Sequence, residues 1–418
     1  MENASYILKK KLSIQDLFFS LLFVSLCGFS SGNLIPGRTY ILFYLGLFVL
    51  VKRIKRVDHG FYPLKLFIAF LIIAFAHHYL IIRKIDSNLL ICLQQFLAAW
   101  GFFLYMGQRA NYAIFKVMVA LSFFSLLCYG IVVIAGHAPH VDFLNAAGSN
   151  YRGVFLWNSR LDEIYMRRNC GPFWEPGAFA GYIIMTFLLY FRELKLLWVQ
   201  EKISCCILGL ALITTFSSQG YLAFFALAII KIFLTTNKKN VSLICVCLMF
   251  ACVVISVLFF NVQFLGKKLN KQIELSKNYT DVVSVESSTR FTTMMIDFDN
   301  IATSPFFGRT GETAYLYQNF PAVMKIVERK GYYGTGTGMT GFIASHGIVL
   351  WLVWVMLSYR SLRYKYQRKK DAVMILLALI LLGQGEQYLS RIFYLSIPFW
   401  YLANNVIYKN KEYPKTLL

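Results

Sequence analysis

The sequence predicts an all-α, polytopic integral membrane protein of about twelve transmembrane helices, and three observations carry that reading. Hydrophobic residues make up 58% of the chain and charged residues only 15%, where soluble globular proteins carry roughly 25% charged residues. The apolar residues arrive in blocks of about 15 to 20, the length that crosses a hydrocarbon core about 30 Å thick at 1.5 Å per helical residue. Lysine and arginine crowd into alternate loops.

In chain order, spans are expected near 14–30, 36–51, 61–82, 88–107, 113–136, 176–191, 203–216, 221–235, 241–262, 339–358, 372–386 and 391–408. Inside a bilayer only a helix satisfies its own backbone without partner strands. The blocks at 203–216 and 372–386 are short for a full crossing, which leaves a re-entrant segment open at either place.

One set of alternate loops holds Lys9, Lys10, Lys11, the basic run 52–56, Arg109, Arg192, Lys195, Lys202, Lys238, Lys239, the cluster 360–370 and the tail Lys409, Lys411 and Lys415. The opposite short loops hold only Arg38, Arg83, Lys84 and Arg391. Basic residues in short loops prefer the cytoplasm, so both termini are expected inside and the span number even. The net charge of +22 is then largely this topogenic signal plus attraction to anionic lipid, with no nucleic-acid partner.

The first apolar stretch follows three lysines and lacks a small-residue cleavage pattern, so a retained helix is expected there. Eight of the nine cysteines lie in or beside spans and Cys170 in an external loop, without a CxxC spacing. His77, His78, His137 and His140 fall near the outer surface without an HExxH arrangement and are expected as polar interfacial residues. No metal and no cofactor is called for.

Two long external segments, 137–175 and 264–338, break the hairpin pattern, and long loops tend to carry function. The first ends on Arg167-Arg168-Asn169-Cys170-Gly171-Pro172-Phe173-Trp174-Glu175-Pro176-Gly177. Proline at a first helical turn behind an acid marks a helix start, where the positive end of the dipole favours Glu175. The second segment contains Phe291, Met294, Met295, Phe298 and Ile301 at helical spacing, an amphipathic helix whose apolar stripe is expected on the membrane or on other spans. Arg290 and Asp297 share a face beside that stripe, as a solvated ion pair or as an anion-binding arginine oriented by an acid. The segment closes on Tyr332-Tyr333-Gly334-Thr335-Gly336-Thr337-Gly338, a formal GxGxxG when extended to Gly341. No strand precedes it, so a nucleotide site does not follow. A glycine turn opening a helix still offers backbone N–H groups to an anion such as a pyrophosphate.

In order and spacing, Arg167-Arg168 with Phe-Trp-Glu-Pro-Gly-Ala-Phe-Ala, the 214–220 turn Thr-Thr-Phe-Ser-Ser-Gln-Gly, Arg290 ahead of Ser304-Pro305-Phe306-Phe307-Gly308, and Gly336-Thr337-Gly338 ahead of Ser345-His346-Gly347-Ile348 resemble the O-antigen polymerase and ligase superfamily of bacterial surface-polysaccharide assembly. The resemblance covers roughly residues 150–360. It implies a GT-C-like, metal-independent glycosyltransferase of the bacterial inner membrane, active on the periplasmic face and using glycans linked to undecaprenyl diphosphate. A flippase and a chain-length regulator are its implied partners. Ligases of this superfamily carry a histidine about ten residues before the glycine matched by Gly347. Here that stretch is Thr335-Gly336-Thr337-Gly338, which favours polymerase over ligase.

Displacing a diphosphate from an anomeric carbon develops charge on the leaving oxygens, which arginines stabilise through two-pronged contacts. Arg168 and Arg290 are the expected clamp, with Arg167 and Arg309 beside them. If those two lie on separate surfaces, the anion site falls to Arg309, Arg391 and the glycine turn with Gly336 and Gly338. Glu175 is the expected base, Asp297 the second choice and Glu386 the third. Trp157, Trp174, Tyr279, Tyr332 and Tyr333 are candidates for stacking on sugar rings or for interfacial anchoring. A flippase is the competing class, but the span centres are nearly free of charge and the ionisable motifs gather at one face.

Overall fold

Ser13 and Asp16 close a reciprocal capping box at the start of α1 (Ile14–Ser25), and Asp16 is fully buried because Arg109 reaches both its oxygens at 2.7 Å. The computed structural model describes residues 11–30, 45, 46, 49, 61–83, 86–135, 141–144, 150–154, 156–160, 168–235, 290–311, 313–330 and 338–403. The spans expected at 241–262 and over most of 36–51 lie outside the described residues.

The helices that follow are α2 (Phe61–Ile82), α3 (Ser87–Met106), α4 (Ala110–Ala135), α5 (Pro176–Leu188), α6 (Leu194–Gln200), α7 (Lys202–Thr214) and α8 (Ser218–Thr235). Then come α9 (Arg290–Thr303), α10 (Thr313–Leu316), α11 (Pro321–Lys330), α12 (Met339–Tyr366), α13 (Lys369–Gln384) and α14 (Ile392–Leu395). Among the described residues three apolar helical stretches, Tyr62–Ile81, Ser87–Ala135 and Met339–Tyr366, have the length and composition to cross a membrane. A fourth follows if α6 and α7, which meet at 109°, form one broken span. Large apolar side chains such as Ile72, Leu80, Ile134, Ile203 and Leu381 point outward, as lipid-facing helices require.

Several expected spans take a different form. The helix at 14–30 stops at Ser25; Gly28 turns the chain at φ 106°, and Phe29 and Ser30 pair with the backbone of Phe173 and Pro172 instead. Of the segment expected to cross at 391–408, the described residues 391–403 hold the short α14 and a 3-10 helix, Ile397–Ala403, both wholly buried, with Pro398 in the first turn of the latter lacking an N–H for an α-helical bond. The fold is also not purely α. Within 137–175 lies an antiparallel sheet of β1 (Val141–Leu144), β2 (Asn150–Val154) and β3 (Trp157–Arg160), in the order β1-β2-β3. Val154 pairs with Trp157, and Asp142 opposite Arg152 forms a cross-strand ion pair. Tyr151, Val154 and Trp157 are strand formers, a signal hidden by the surrounding helical pattern.

Polar groups gather at the two ends of the helices. At one end Arg109 meets Asp16, Lys116 meets Glu201 at 2.7 Å, and Arg192 meets Asp371 at 3.7 Å and the Tyr366 carbonyl at 2.8 Å. Lys365 joins these groups by bonding Asn111 at 3.3 Å. The helices α3, α5 and α12 place Asp86, Glu175 and Gly338 at the other end.

Candidate functional site

Two of the rungs that should hold α12 together are supplied by another segment. Gly347 stands at φ 86°, ψ 161° within the helix, so the amides of Ile348 and Val349 cannot reach the carbonyls of Ala344 and Ser345. They donate instead to Pro305 O at 2.9 Å and Phe306 O at 3.2 Å. The two carbonyls left over accept from Arg309 N at 2.9 Å and Thr310 N at 3.0 Å. The 304–310 segment is thus inserted into the helical ladder, satisfying these two amides and two carbonyls. Only glycine permits it: a Cβ at Gly308 would lie 2.4 Å from Ser345 O, and one at Gly347 2.1 Å from Phe306 O, both at positive φ.

Beneath that insertion lies a buried polar knot. Asp86 Oδ1 caps α3 through the amides of Asn88 and Leu89, while Oδ2 accepts from the Thr310 hydroxyl at 2.7 Å and from the Gly311 amide at 3.3 Å. His78 Nδ1 lies 2.7 Å from the same oxygen, and its Nε2 lies 2.7 Å from Phe307 O. A carbonyl can only accept, so Nε2 is the nitrogen that donates to Phe307 O. Burial would raise the Asp86 carboxyl, but the hydrogen bonds from His78 and Thr310 hold it well below the usual carboxylate range. His346 is buried next to this knot.

The polar face of α9 packs on α12. Thr292, Thr293, Ile296, Asp297 and Asn300 are buried, whereas Met295 and Phe298 are exposed. Asp297 accepts from Thr340 Oγ1 at 2.9 Å, and Arg309 Nη1 donates to Asn300 Oδ1 at 3.2 Å. Burial lowers the basicity of Arg309. Asp297, expected on a solvated face, is thus a buried acid bonded to α12.

A second cluster surrounds the start of α5. Glu175 is its N-cap and Pro176 its first residue, but Glu175 makes no side-chain cap bond and stays half-buried. Glu386 is buried with its carboxylate against Gly177, where a Cβ would meet Oε1 at 2.6 Å. Tyr388 donates its hydroxyl to Gly177 O at 2.8 Å, and Gln219 donates to Leu382 O at 3.0 Å. Gly338 packs so tightly on the carbonyls of Gly383 and Glu386 that a Cβ would lie 1.9 Å from each. Its N–H is donated to Gln384 O at 3.1 Å, so this part of the glycine turn does not offer its amide to an anion as expected. Arg168 Nε donates to Thr215 O at 3.1 Å, tying the 168–174 loop to the turn between α7 and α8. The Arg391 guanidinium lies over the Trp174 ring at 5.2 Å.

Of the residues expected from sequence, Glu175, Trp174, Arg168, Gly338 and Glu386 gather around the start of α5, and Asp297 and Arg309 sit at the packed face of α9. Arg290 begins α9, but its side chain lies outside the described residues, as do Arg167, Tyr333 and Gly336. Trp157, a stacking candidate, is buried. His78, expected only as a polar interfacial residue, is buried, and Asp86 and Thr310 were missed. His78 and Asp86 are eight residues apart, but Thr310 lies 224 residues from Asp86, and nothing local announces that bond. Among the described residues no group of three or more His, Cys, Asp or Glu could hold a metal ion. No protein-family model matches the chain, and no curated protein matches it either.

Proposed function

We propose that the chain is a metal-independent glycosyltransferase that polymerises oligosaccharide repeat units carried on undecaprenyl diphosphate, at the periplasmic face of the bacterial inner membrane. What supports the reading is the meeting of distant segments at one end of the helices. The residues around 168–177, the 214–220 turn, the 304–310 insertion and the 338–347 start of α12 carry the superfamily resemblance, and each contacts another through a named bond or packing contact. About twelve spans, a GT-C-like arrangement and cytoplasmic termini belong to the same proposal. The ion pairs of Arg109, Lys116 and Arg192 then mark the cytoplasmic end.

Glu175, or Glu386 beside it, would accept the proton of the attacking sugar hydroxyl, since both carboxylates flank the first turn of α5. Arg168 would present its guanidinium to the leaving diphosphate, with Arg290 as the second arm of the clamp. The test is deletion of the gene followed by a gel of surface glycan. Loss of the ladder with survival of single-repeat material supports a polymerase. Polymer retained on its carrier would mean a ligase, complete loss of exported glycan a flippase, and an unchanged ladder would overturn the proposal.

A further inference from the structure

At the site end, Arg168 and Arg309 each donate to a protein oxygen, at 3.1 Å and 3.2 Å. Arg391 does not. It is half-buried, its Nε is shielded from solvent and has no hydrogen-bond partner, and among the described residues no carboxylate pairs with it. Its guanidinium lies instead over the Trp174 ring at 5.2 Å. A cation over an indole face is held in place and oriented, but its charge is not neutralised. Removing a charge from water without a counter-ion is costly, so a half-buried arginine in this state is prepared for an anion.

The surroundings hold that corner open. Gly28 stands at φ 106°, and a Cβ there would lie 2.6 Å from the Trp174 ring and 3.5 Å from the Arg391 guanidinium carbon. Any other residue would push the indole off its place and close the approach to the cation. Tyr182 and Tyr388 pack edge-on or tilted beside the same ring at 6.3 Å and 6.4 Å. The corner lies next in sequence to Glu175 and, through Tyr388, next to Gly177 and Glu386.

We propose that Arg391, seated on Trp174 above Gly28, is a binding residue for a phosphate group, and that its ligand is the diphosphate of a polyprenyl carrier. The identity of the ligand rests on the polymerase reading; the phosphate site itself rests on the geometry alone. The planar guanidinium turns its outer edge to two phosphate oxygens while Trp174 covers one face, a pairing lysine cannot reproduce.

The test measures binding to the full-length protein in nanodiscs of zwitterionic lipid, with undecaprenyl diphosphate, phosphatidylglycerol and inorganic pyrophosphate as separate probes. Arg391→Gln is expected to weaken undecaprenyl diphosphate by at least about tenfold, the loss of a charge-assisted contact, and Arg391→Lys by less. Trp174→Phe, which keeps an aromatic face, should retain more binding than Trp174→Ala. Arg360→Gln is the control, because Arg360 lies over the Tyr62 ring at 5.6 Å in a similar arrangement away from this corner; it should bind as the wild type does. Arg391-dependent binding of pyrophosphate alone would assign the corner to free phosphate, and equal binding of phosphatidylglycerol to any phospholipid headgroup. No loss with Arg391→Gln, or the same loss with Arg360→Gln, overturns the site. Binding through Arg391 beside an unchanged glycan ladder would keep the site and remove the polymerase reading.

Discussion

One carboxylate, Asp86, joins α2, α3 and the inserted segment, through His78, the Asn88 and Leu89 amides, and Thr310. Because its folded value is depressed, its contribution to stability is complete above the ordinary aspartate range and is lost as pH falls from about 3.9 through that lower value. Thermal unfolding of the wild type in detergent should therefore be insensitive to this group at neutral pH and weaken only in strong acid. Asp86→Asn should lower the melting temperature already at pH 7, and an unchanged melting temperature would show that the knot contributes nothing. At the start of α5, Glu175→Gln keeps shape and removes basicity; it is expected to abolish polymer while leaving expression intact. If polymer survives that change and disappears with Glu386→Gln, the role of base passes to Glu386.

Among the elements, α9 and α12 show what a sequence leaves open. The helical period over 291–301 was legible, because Phe291, Met294, Met295, Phe298 and Ile301 repeat at the right spacing. Which face packs inward was not, because a helix beside a membrane can give its apolar stripe to lipid and its polar face to protein. Asp297 bonded to Thr340 decides the matter. The glycines of α12 were likewise visible as glycines, yet the break at Gly347 depends on a segment some 40 residues earlier in the chain that no local pattern connects to it. Gly347→Ala forces a side chain into positive φ and into Phe306 O, a strain on the order of 2 kcal/mol or more. Limited proteolysis of the 304–310 segment should become faster in that variant, and unchanged protection would argue against the insertion.

Over the whole molecule, the long spans were readable because lipid demands an unbroken apolar run, and 61–82, 88–107 and 113–136 match α2, α3 and α4 closely. In 14–30 and 391–408 the helix is interrupted within the described residues, and Phe29 and Ile392 to Ala403 are buried in protein, where hydropathy looks the same as in lipid. The candidate site was half legible, through Glu175, Arg168 and Trp174, which lie in one short motif, and through Glu386, named only as the third choice of base. The basic ion pairs at the opposite end make a directional prediction. A reporter active only in the cytoplasm should work when fused after Lys370 and stay silent when inserted near Asn278; activity at Asn278 would reverse the map.

The borrowed rungs of α12 also couple the motions of two distant stretches of backbone. In an ordinary helix each amide opens with its own neighbours, fraying from the ends. Here the Ile348 and Val349 protons are locked by Pro305 and Phe306, and those of Arg309 and Thr310 by Ala344 and Ser345. None can reach solvent until the inserted segment withdraws. In deuterated buffer these four amides should therefore exchange as one set with a shared rate, while Leu350 and the turns after it follow the slower opening of the helix itself.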